Sequence, residues 1–125
     1  HVPLLDSTHH MINEESLGKM KRSAILINTA RGGLVDDDAL VRALQNHQIS
    51  GAGLDCVEEE DGQATKALSE MTNVVITPHV GGTTSDLGSV IIPMILDNIK
   101  HLQMGEEVPY IVNQQYLEAK RENVS

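Results

Sequence analysis

The side chains of this sequence best suited to chemistry are an arginine, an aspartate and a histidine. Arg31 lies in the stretch NTARGGLVD, directly after an apolar run and before two glycines. A guanidinium is permanently charged and can hold a carboxylate through two parallel hydrogen bonds. A surface arginine paired with Asp36 would explain the residue without a ligand. The position between a buried strand and Gly32-Gly33 favours an anion-binding role.

His79 lies in the stretch TPHVGG, just after a second apolar run. An imidazole titrates near neutral pH and can donate or accept a proton. The glycines Gly81 and Gly82 let the backbone approach a ligand, and the helix start that follows favours an anion. His79 is therefore a candidate acid or base. A histidine in an ordinary strand-to-helix turn is the alternative.

Carboxylates come from Asp55 and from the run Glu58-Glu59-Glu60. One carboxylate beside His79 would hold the imidazole in one tautomer and favour its protonated form. A run of glutamates can also be a solvated loop, and we expect this of most of the run.

Short apolar runs alternate with helical patterns along the chain, which is typical of a parallel sheet with crossover helices. The expected strands span 24–28, 51–55 and 74–77. The runs in 24–28 and 74–77 are continuous, so these two strands are expected to be buried on both faces. The expected helices begin at Asn13, at Asp36 and at Thr83 or Thr84, and one helical turn is expected near Ala67-Leu68. The longest helix is the last one. It contains Pro93, which should kink it, and it ends at Gly105.

Arg31, Asp55 and His79 each follow one of the three strands. Because ligands bind at the carboxyl ends of the strands in open parallel sheets, these residues should share one edge. The sequence therefore predicts an active site there.

Composition narrows the class of partner. Nine basic residues against eighteen acidic ones give a formal net charge of -9, which argues against nucleic acid and anionic membranes. The lone Cys56 fits a buried structural thiol in a reducing, cytoplasmic compartment. His9 and His10 are adjacent and expected to face apart, and no histidine shows a spacing typical of metal ligands, so no metal site is predicted.

Three motifs in this order, NTARGGLVDDDAL, GAGLDCVEEE and TPHVGG, closely resemble the D-isomer-specific 2-hydroxyacid dehydrogenases. HVPLLDSTHHMIN and the span from MKRSAILIN match the same pattern, and the resemblance extends to Val112-Asn113. It implies an α/β fold with a Rossmann-like parallel sheet, here a partial nucleotide-binding domain. Residues 1–104 would be the C-terminal portion of the dinucleotide-binding domain, ending in a long helix, and 105–125 a polar C-terminal tail.

The resemblance also implies an oxidoreductase that transfers hydride between NAD(P)H and a 2-oxo acid or D-2-hydroxy acid. Arg31 would bind the substrate carboxylate, and His79, paired with Glu60, would donate the proton. The family usually has proline after that glutamate, whereas this chain has Asp61, which leaves Glu59 as a possible substitute. A histidine–glutamate pair, rather than the histidine–glutamine pair of formate dehydrogenases, favours an oxo acid.

Cofactor contacts follow from the same resemblance. The implied cofactor is NAD or NADP. The two are both kept because the residue that distinguishes them in the family is not in this sequence. The implied cofactor-binding residues are Val2, Pro3, Thr8, Thr29, Ala30, Arg31, Asp55, His79, Gly81 and Gly82. Family members are commonly homodimers, so a homo-oligomer is expected.

The Gly-rich fingerprint G-x-G-x-x-G that grips the pyrophosphate is not in the sequence. The chain also begins without an initiator Met, and we expect it to be a piece of a longer polypeptide that is inactive alone. The alternative function is a truncated, inactive fragment or a self-associating interaction module, since half a sheet leaves an edge and apolar faces open.

Overall fold

The computed structural model describes residues 1–109 and 111–112. The chain divides into two compact units, His1–Gly82 and a second unit that begins at Thr83. The predicted tail falls mostly on residue 110 and residues 113–125, outside the described residues.

The first unit is a three-stranded parallel sheet with helices between the strands. Its elements are α1 (Glu14–Gly18), β1 (Ile25–Asn28), a 3-10 turn (Gly32–Leu34), α2 (Asp37–Gln45), β2 (Gly51–Leu54), α3 (Gln63–Ser69) and β3 (Val74–Ile76). The strand order is β1-β2-β3, and both pairs are parallel. The carboxyl ends of the three strands therefore lie along one edge, which confirms the predicted α/β fold class.

Two predicted helix starts are formed by side-chain caps. The Asn13 side chain accepts a hydrogen bond from the Ser16 amide at 3.1 Å, and the Ser16 hydroxyl in turn accepts from the Asn13 amide at 2.8 Å. Asp36 caps α2 by accepting from the Ala39 amide at 2.8 Å. These caps satisfy donors that have no partner inside the helix, so both helices begin where the sequence predicted.

The core lies on one face of the sheet only. Its largest fully buried side chains are Leu17, Leu40, Ile49, Leu68 and Val35. On the other face, side chains of β1 and β3 are about two-thirds exposed, at 65% for Ile25, 64% for Ile27 and 66% for Val75. The prediction that these strands are buried on both faces is therefore wrong for the described residues, because no helix of the first unit covers the second face.

Helix α3 is longer than the single turn predicted near Ala67-Leu68. It spans Gln63–Ser69 and begins after Gly62, whose amide donates to the Glu59 carbonyl at 3.0 Å. The helix therefore begins four residues before Ala67.

The second unit contains α4 (Leu87–Met104). Its N-cap is Asp86 rather than Thr83 or Thr84, so the predicted start is two to three residues early. Gly105 ends the helix with φ 69, a left-handed conformation that glycine adopts without steric cost. Pro93 lies inside the helix, and the predicted kink there stays a prediction. None of the residues of α4 is buried.

Candidate functional site

The loop that carries Arg31 is shaped by Asn28, the last residue of β1. The Asn28 side chain is buried, donates to the Arg31 carbonyl at 2.9 Å and accepts from the Ala30 amide at 3.1 Å. These two hydrogen bonds fold the backbone back on the end of the strand. Arg31 itself is exposed and extended, with φ -149.

The Arg31 guanidinium has no acidic partner within residues 1–109. Its Nη1 donates to the Ala30 carbonyl at 2.6 Å, and none of the ion pairs of that part of the chain includes it. The alternative of a surface pair with Asp36 is therefore not observed. A guanidinium with most of its donors unused remains able to bind an external carboxylate.

Gly32 brings the Arg31 loop against the end of the neighbouring strand. A Cβ at Gly32 would lie 2.0 Å from the Val57 carbonyl oxygen and 2.4 Å from the Glu58 amide nitrogen. Only a residue without a side chain fits such a backbone approach. The NTARGG loop and the loop after β2 are therefore in direct contact.

Asp55 organises the loop that carries His79. It is buried, and its carboxylate accepts from the Thr77 hydroxyl at 2.6 Å, the Val80 amide at 2.9 Å and the Gly81 amide at 2.8 Å. The Thr77 hydroxyl, followed by the Gly81 amide, holds the pKa of Asp55 below its ordinary value, and the nearby charge of His79 acts in the same direction. Asp55 is therefore an anion that fixes the backbone of the two residues directly after His79.

His79 is held in a left-handed backbone conformation with φ 53, and its amide donates to the Thr77 carbonyl at 2.9 Å. Non-glycine residues with positive φ are uncommon, although histidine is enriched among them. The residue follows the end of β3 and is exposed. The predicted His79 position at the end of β3 is therefore at the same edge as Arg31 and Asp55.

In the acidic loop, Glu59 and Glu60 are exposed, as predicted for most of the glutamate run. Among residues 1–109, neither makes a side-chain hydrogen bond or ion pair with His79. The glutamate that contacts histidines is Glu58, whose carboxylate lies 2.9 Å from His9 Nε2 and 2.7 Å from His10 Nε2. The assignment of Glu60 as the partner of His79 stays a prediction.

The expectation that His9 and His10 face apart is wrong. Their rings are stacked, with centroids 3.8 Å apart. The alternation of side chains holds for extended chain, whereas these residues lie in a turn and His10 has φ 49.

The N-terminal segment packs on the Gly-Gly turn. The Thr8 hydroxyl donates to the Pro3 carbonyl at 2.7 Å and accepts from the Leu5 amide at 2.8 Å, which closes a compact turn. The His10 amide donates to the Gly33 carbonyl at 2.8 Å. This places the segment with Val2, Pro3 and Thr8 next to the Arg31 loop, and its cofactor-binding role stays a prediction.

Cys56 is buried next to the candidate site, and burial raises the pKa of its thiol. A neutral buried thiol is a poor nucleophile. The structure therefore agrees with a structural role for this cysteine.

Two positioning residues were not identified from the sequence. Asn28 shapes the Arg31 loop, and Thr77 donates to Asp55. Both are polar residues at the carboxyl end of an apolar strand, and that position could have indicated them.

The fold and this edge define the class of protein: an α/β nucleotide-binding type of sheet with an arginine, an aspartate and a histidine at its strand ends. The family described as "D-isomer specific 2-hydroxyacid dehydrogenase, NAD binding domain" matches residues 1–81. The chain belongs to this family.

Relatives and solved structures agree with this membership. The chain is 42% identical over 120 residues to a glyoxylate reductase of Korarchaeum cryptofilum, covering 96% of this chain and 36% of the relative. It is similar, with TM-score 0.81 and 38% identity, to the structure of D-lactate dehydrogenase with NAD+ from Lactobacillus jensenii, covering 90% of this chain and 38% of that one. It is also similar to the structure of an NADPH-dependent glyoxylate/hydroxypyruvate reductase from Sinorhizobium meliloti in complex with NADP and malonate. The TM-score is 0.79 and the identity 36%, and the match covers 90% of this chain and 35% of that one.

The chain thus spans about a third of the length of the relatives it matches. Among the described residues, no helix is both long enough and apolar enough to cross a membrane.

Proposed function

We propose that the protein carrying this chain is an oxidoreductase that transfers hydride between NAD(P)H and a 2-oxo acid, with a D-2-hydroxy acid as the reduced product. Family membership and the reductases and dehydrogenases among its relatives support this proposal. The observation that carries it is the Asp55 network, which fixes the His79 loop at the edge where the Arg31 loop also ends.

Arg31 binds the substrate carboxylate in this proposal. Its guanidinium is exposed, has no acidic partner in the part of the chain that the structure describes, and extends from a loop anchored by Asn28. A 2-oxo acid held there by two hydrogen bonds has its carbonyl polarised by the same positive charge.

His79 donates the proton to the substrate carbonyl oxygen, and Glu60, or Glu59 in its place, orients the imidazole for this transfer. No hydrogen bond or ion pair between described residues joins His79 to Glu59 or Glu60, so the pair forms only when one of these carboxylates moves to the imidazole. A positioned acid of this kind contributes about 10²- to 10⁴-fold to the rate.

The open edge fits a nicotinamide cofactor, NAD or NADP. A Cβ at Gly82 would meet no atom within 4 Å, so the backbone after His79 faces open space. The cofactor supplies the hydride when bound. The residues proposed to contact it are Val2, Pro3, Thr8, Thr29, Ala30, Arg31, Asp55, His79, Gly81 and Gly82.

The test compares His79→Asn with His47→Asn in the complete protein. Both histidines are exposed and both have φ 53, a conformation that asparagine also tolerates, so backbone strain is matched. Reduction of glyoxylate and pyruvate is measured with NADH and with NADPH, and cofactor affinity by fluorescence. We expect His79→Asn to lower kcat about 10²- to 10⁴-fold with cofactor affinity retained, and His47→Asn to leave both unchanged. Equal kcat in the two variants would refute the role of His79.

A second candidate function is self-association of the chain through its uncovered sheet face. The exposed Ile27 and Val75 lie on this face, and β1 and β3 are the outer strands of the described sheet. In this alternative a second copy of the chain covers the face and the 125 residues are inactive alone. In this case light scattering of the isolated chain would show a dimer or a larger species, Ile27→Thr would dissociate that species, and the chain would not bind NADH. A monomer in light scattering would exclude this alternative.

We also propose that the complete protein forms a homo-oligomer and that it lies in the cytoplasm. The free, buried Cys56 supports a reducing compartment. Light scattering of the complete protein and fractionation of cells test these two proposals.

A further inference from the structure

Two adjacent histidines and a glutamate form a cluster that the proposed reaction does not use. His9 Nε2 lies 2.9 Å from one carboxylate oxygen of Glu58, and His10 Nε2 lies 2.7 Å from the other. All three residues place a nitrogen or oxygen ligand atom within 4.8 Å of the others. Two imidazole nitrogens and a carboxylate therefore converge on one small volume.

The backbone holds both sides of this cluster in place. The His9 amide donates to the Leu5 carbonyl and the His10 amide to the Gly33 carbonyl, each at 2.8 Å. The Glu58 amide donates to Asp37 Oδ2 at 2.9 Å. The left-handed φ of His10, at 49, brings its ring beside that of His9. The ligand atoms are thus positioned by two segments far apart in sequence rather than by flexible side chains alone.

We propose that His9, His10 and Glu58 form a binding site for a divalent transition-metal ion of the zinc class. Imidazole nitrogen and carboxylate oxygen are ligands that zinc takes at about 2.0–2.2 Å, with a tetrahedral geometry. Three protein ligands leave the fourth position to water. In the hydrogen bonds to Glu58 each Nε2 carries the proton, because a carboxylate only accepts. On metal binding each imidazole takes the neutral form with its proton on Nδ1, and the Nε2 lone pair binds the ion in place of the proton that it donated to Glu58.

Charge and access both favour a cation at this place. A cavity of about 270 Å³ borders the cluster and is lined by His10, Glu58, Glu59 and the run Asp36–Asp38. The His9 and Glu58 side chains are 48% and 33% exposed, so an ion can reach the ligand atoms from solvent. A negative surface with low-dielectric walls concentrates cations locally.

The site would tie the N-terminal segment to the loop after β2. It includes none of Arg31, Glu60 and His79, so its failure would leave the proposed function unaffected. A plain hydrogen-bonded clamp of two imidazoles on one carboxylate, without metal, is the competing outcome.

The test measures zinc binding to tag-free, metal-stripped protein by calorimetry, and the visible absorption of Co2+ as a probe of the ligand set. His10→Asn and Glu58→Gln each remove one ligand. His47→Asn is the matched control, since His47 is an exposed histidine with φ 53 outside the cluster. His9→Gln is a further variant in case His10→Asn does not fold, because His9 is the more exposed of the pair.

We expect one equivalent of Zn2+ to bind to the unaltered protein and to His47→Asn, with an absorption spectrum of tetrahedral Co2+. Each ligand variant should weaken binding by more than the ten- to about hundredfold loss typical of residues outside the coordination sphere. Zinc should also raise the Tm of the unaltered protein and not that of Glu58→Gln. Absence of Zn2+ binding, or equal affinity in Glu58→Gln and His47→Asn, would overturn the proposal in favour of the hydrogen-bonded clamp.

Discussion

Replacement of Asn28 by alanine tests how the Arg31 loop is held. The change removes the hydrogen bond from Asn28 to the Arg31 carbonyl and the one from the Ala30 amide to Asn28. The backbone carbonyl of residue 28, which accepts from the Asp55 amide at 2.9 Å, remains. The variant therefore perturbs the loop and leaves the pairing of β1 with β2 intact.

The magnitude follows from the two lost bonds. Each contributes about 0.5–1.5 kcal/mol net, so the free energy of unfolding should fall by about 1–3 kcal/mol. The upper end is expected because Ala30 is half-buried and its amide loses the Asn28 acceptor, whereas the exposed Arg31 carbonyl can bind water. At about 4 °C per kcal/mol for a domain of this size, Tm should fall by about 4–12 °C.

Asn73→Ala is the matched control. Asn73 also donates its side-chain amide to a backbone carbonyl, that of Ser50 at 3.0 Å, but at the amino ends of β2 and β3. Thermal unfolding should show a smaller loss of stability for this variant, since one exposed hydrogen bond is removed rather than two. In the complete protein, Asn28→Ala should raise KM for the 2-oxo acid and lower kcat/KM by up to about a hundredfold, the cost of a displacement of about 1 Å, whereas Asn73→Ala should not.

Two results would refute this reasoning. If Asn28→Ala unfolds at the same temperature as the unaltered protein, the hydrogen bonds to Ala30 and Arg31 do not hold the loop. If stability falls but kcat/KM is unchanged, the loop is held by Asn28 yet its position does not govern substrate binding.

Three further variants test the surroundings of the site. Because the pKa of Asp55 is lowered in the folded protein, the Asp55 carboxylate should stabilise the fold fully above the ordinary pKa of 3.8, and this stabilisation should be lost as pH falls below that value. The Tm difference between the unaltered protein and Asp55→Asn should therefore shrink in acid. A Tm difference that stays constant with pH would contradict the assignment. Gly32→Ala should destabilise by about 1–3 kcal/mol in chemical denaturation, because its Cβ would overlap the Val57 carbonyl, whereas Gly18→Ala, with no atom within 4 Å, should not; equal effects would argue against the close backbone approach. Asp36→Ala should cost about 1 kcal/mol through loss of the α2 cap, and an unchanged denaturation midpoint would show that the cap is dispensable.

The sequence predicted the framework of the site because that framework depends on local signals. The cap at Asp36 and the apolar spacing of Leu40 and Leu44 define α2 without reference to the rest of the chain. Parallel pairing then follows from the alternation of strands and helices, and it brings Arg31, Asp55 and His79 to one edge.

The partner of the histidines could not be predicted in the same way. Glu58, Glu59 and Glu60 are chemically identical, and which of them contacts an imidazole depends on the backbone path of the loop. That path is set by the Asp37 carboxylate on the Glu58 amide and by α3, whose length the sequence underestimated. The burial of β1 was misjudged for a related reason: an apolar run shows that both faces can be buried, but not which element covers each of them.

The geometry of His79 connects these observations. A left-handed non-glycine residue is sterically unfavourable and persists only where its surroundings enforce it. Here Thr77 accepts from the His79 amide on one side, and the buried Asp55 binds the Val80 and Gly81 amides on the other. The Asp55 carboxylate therefore acts on the imidazole through the backbone that carries it, and it can do so only because the parallel sheet ends β2 and β3 at the same edge.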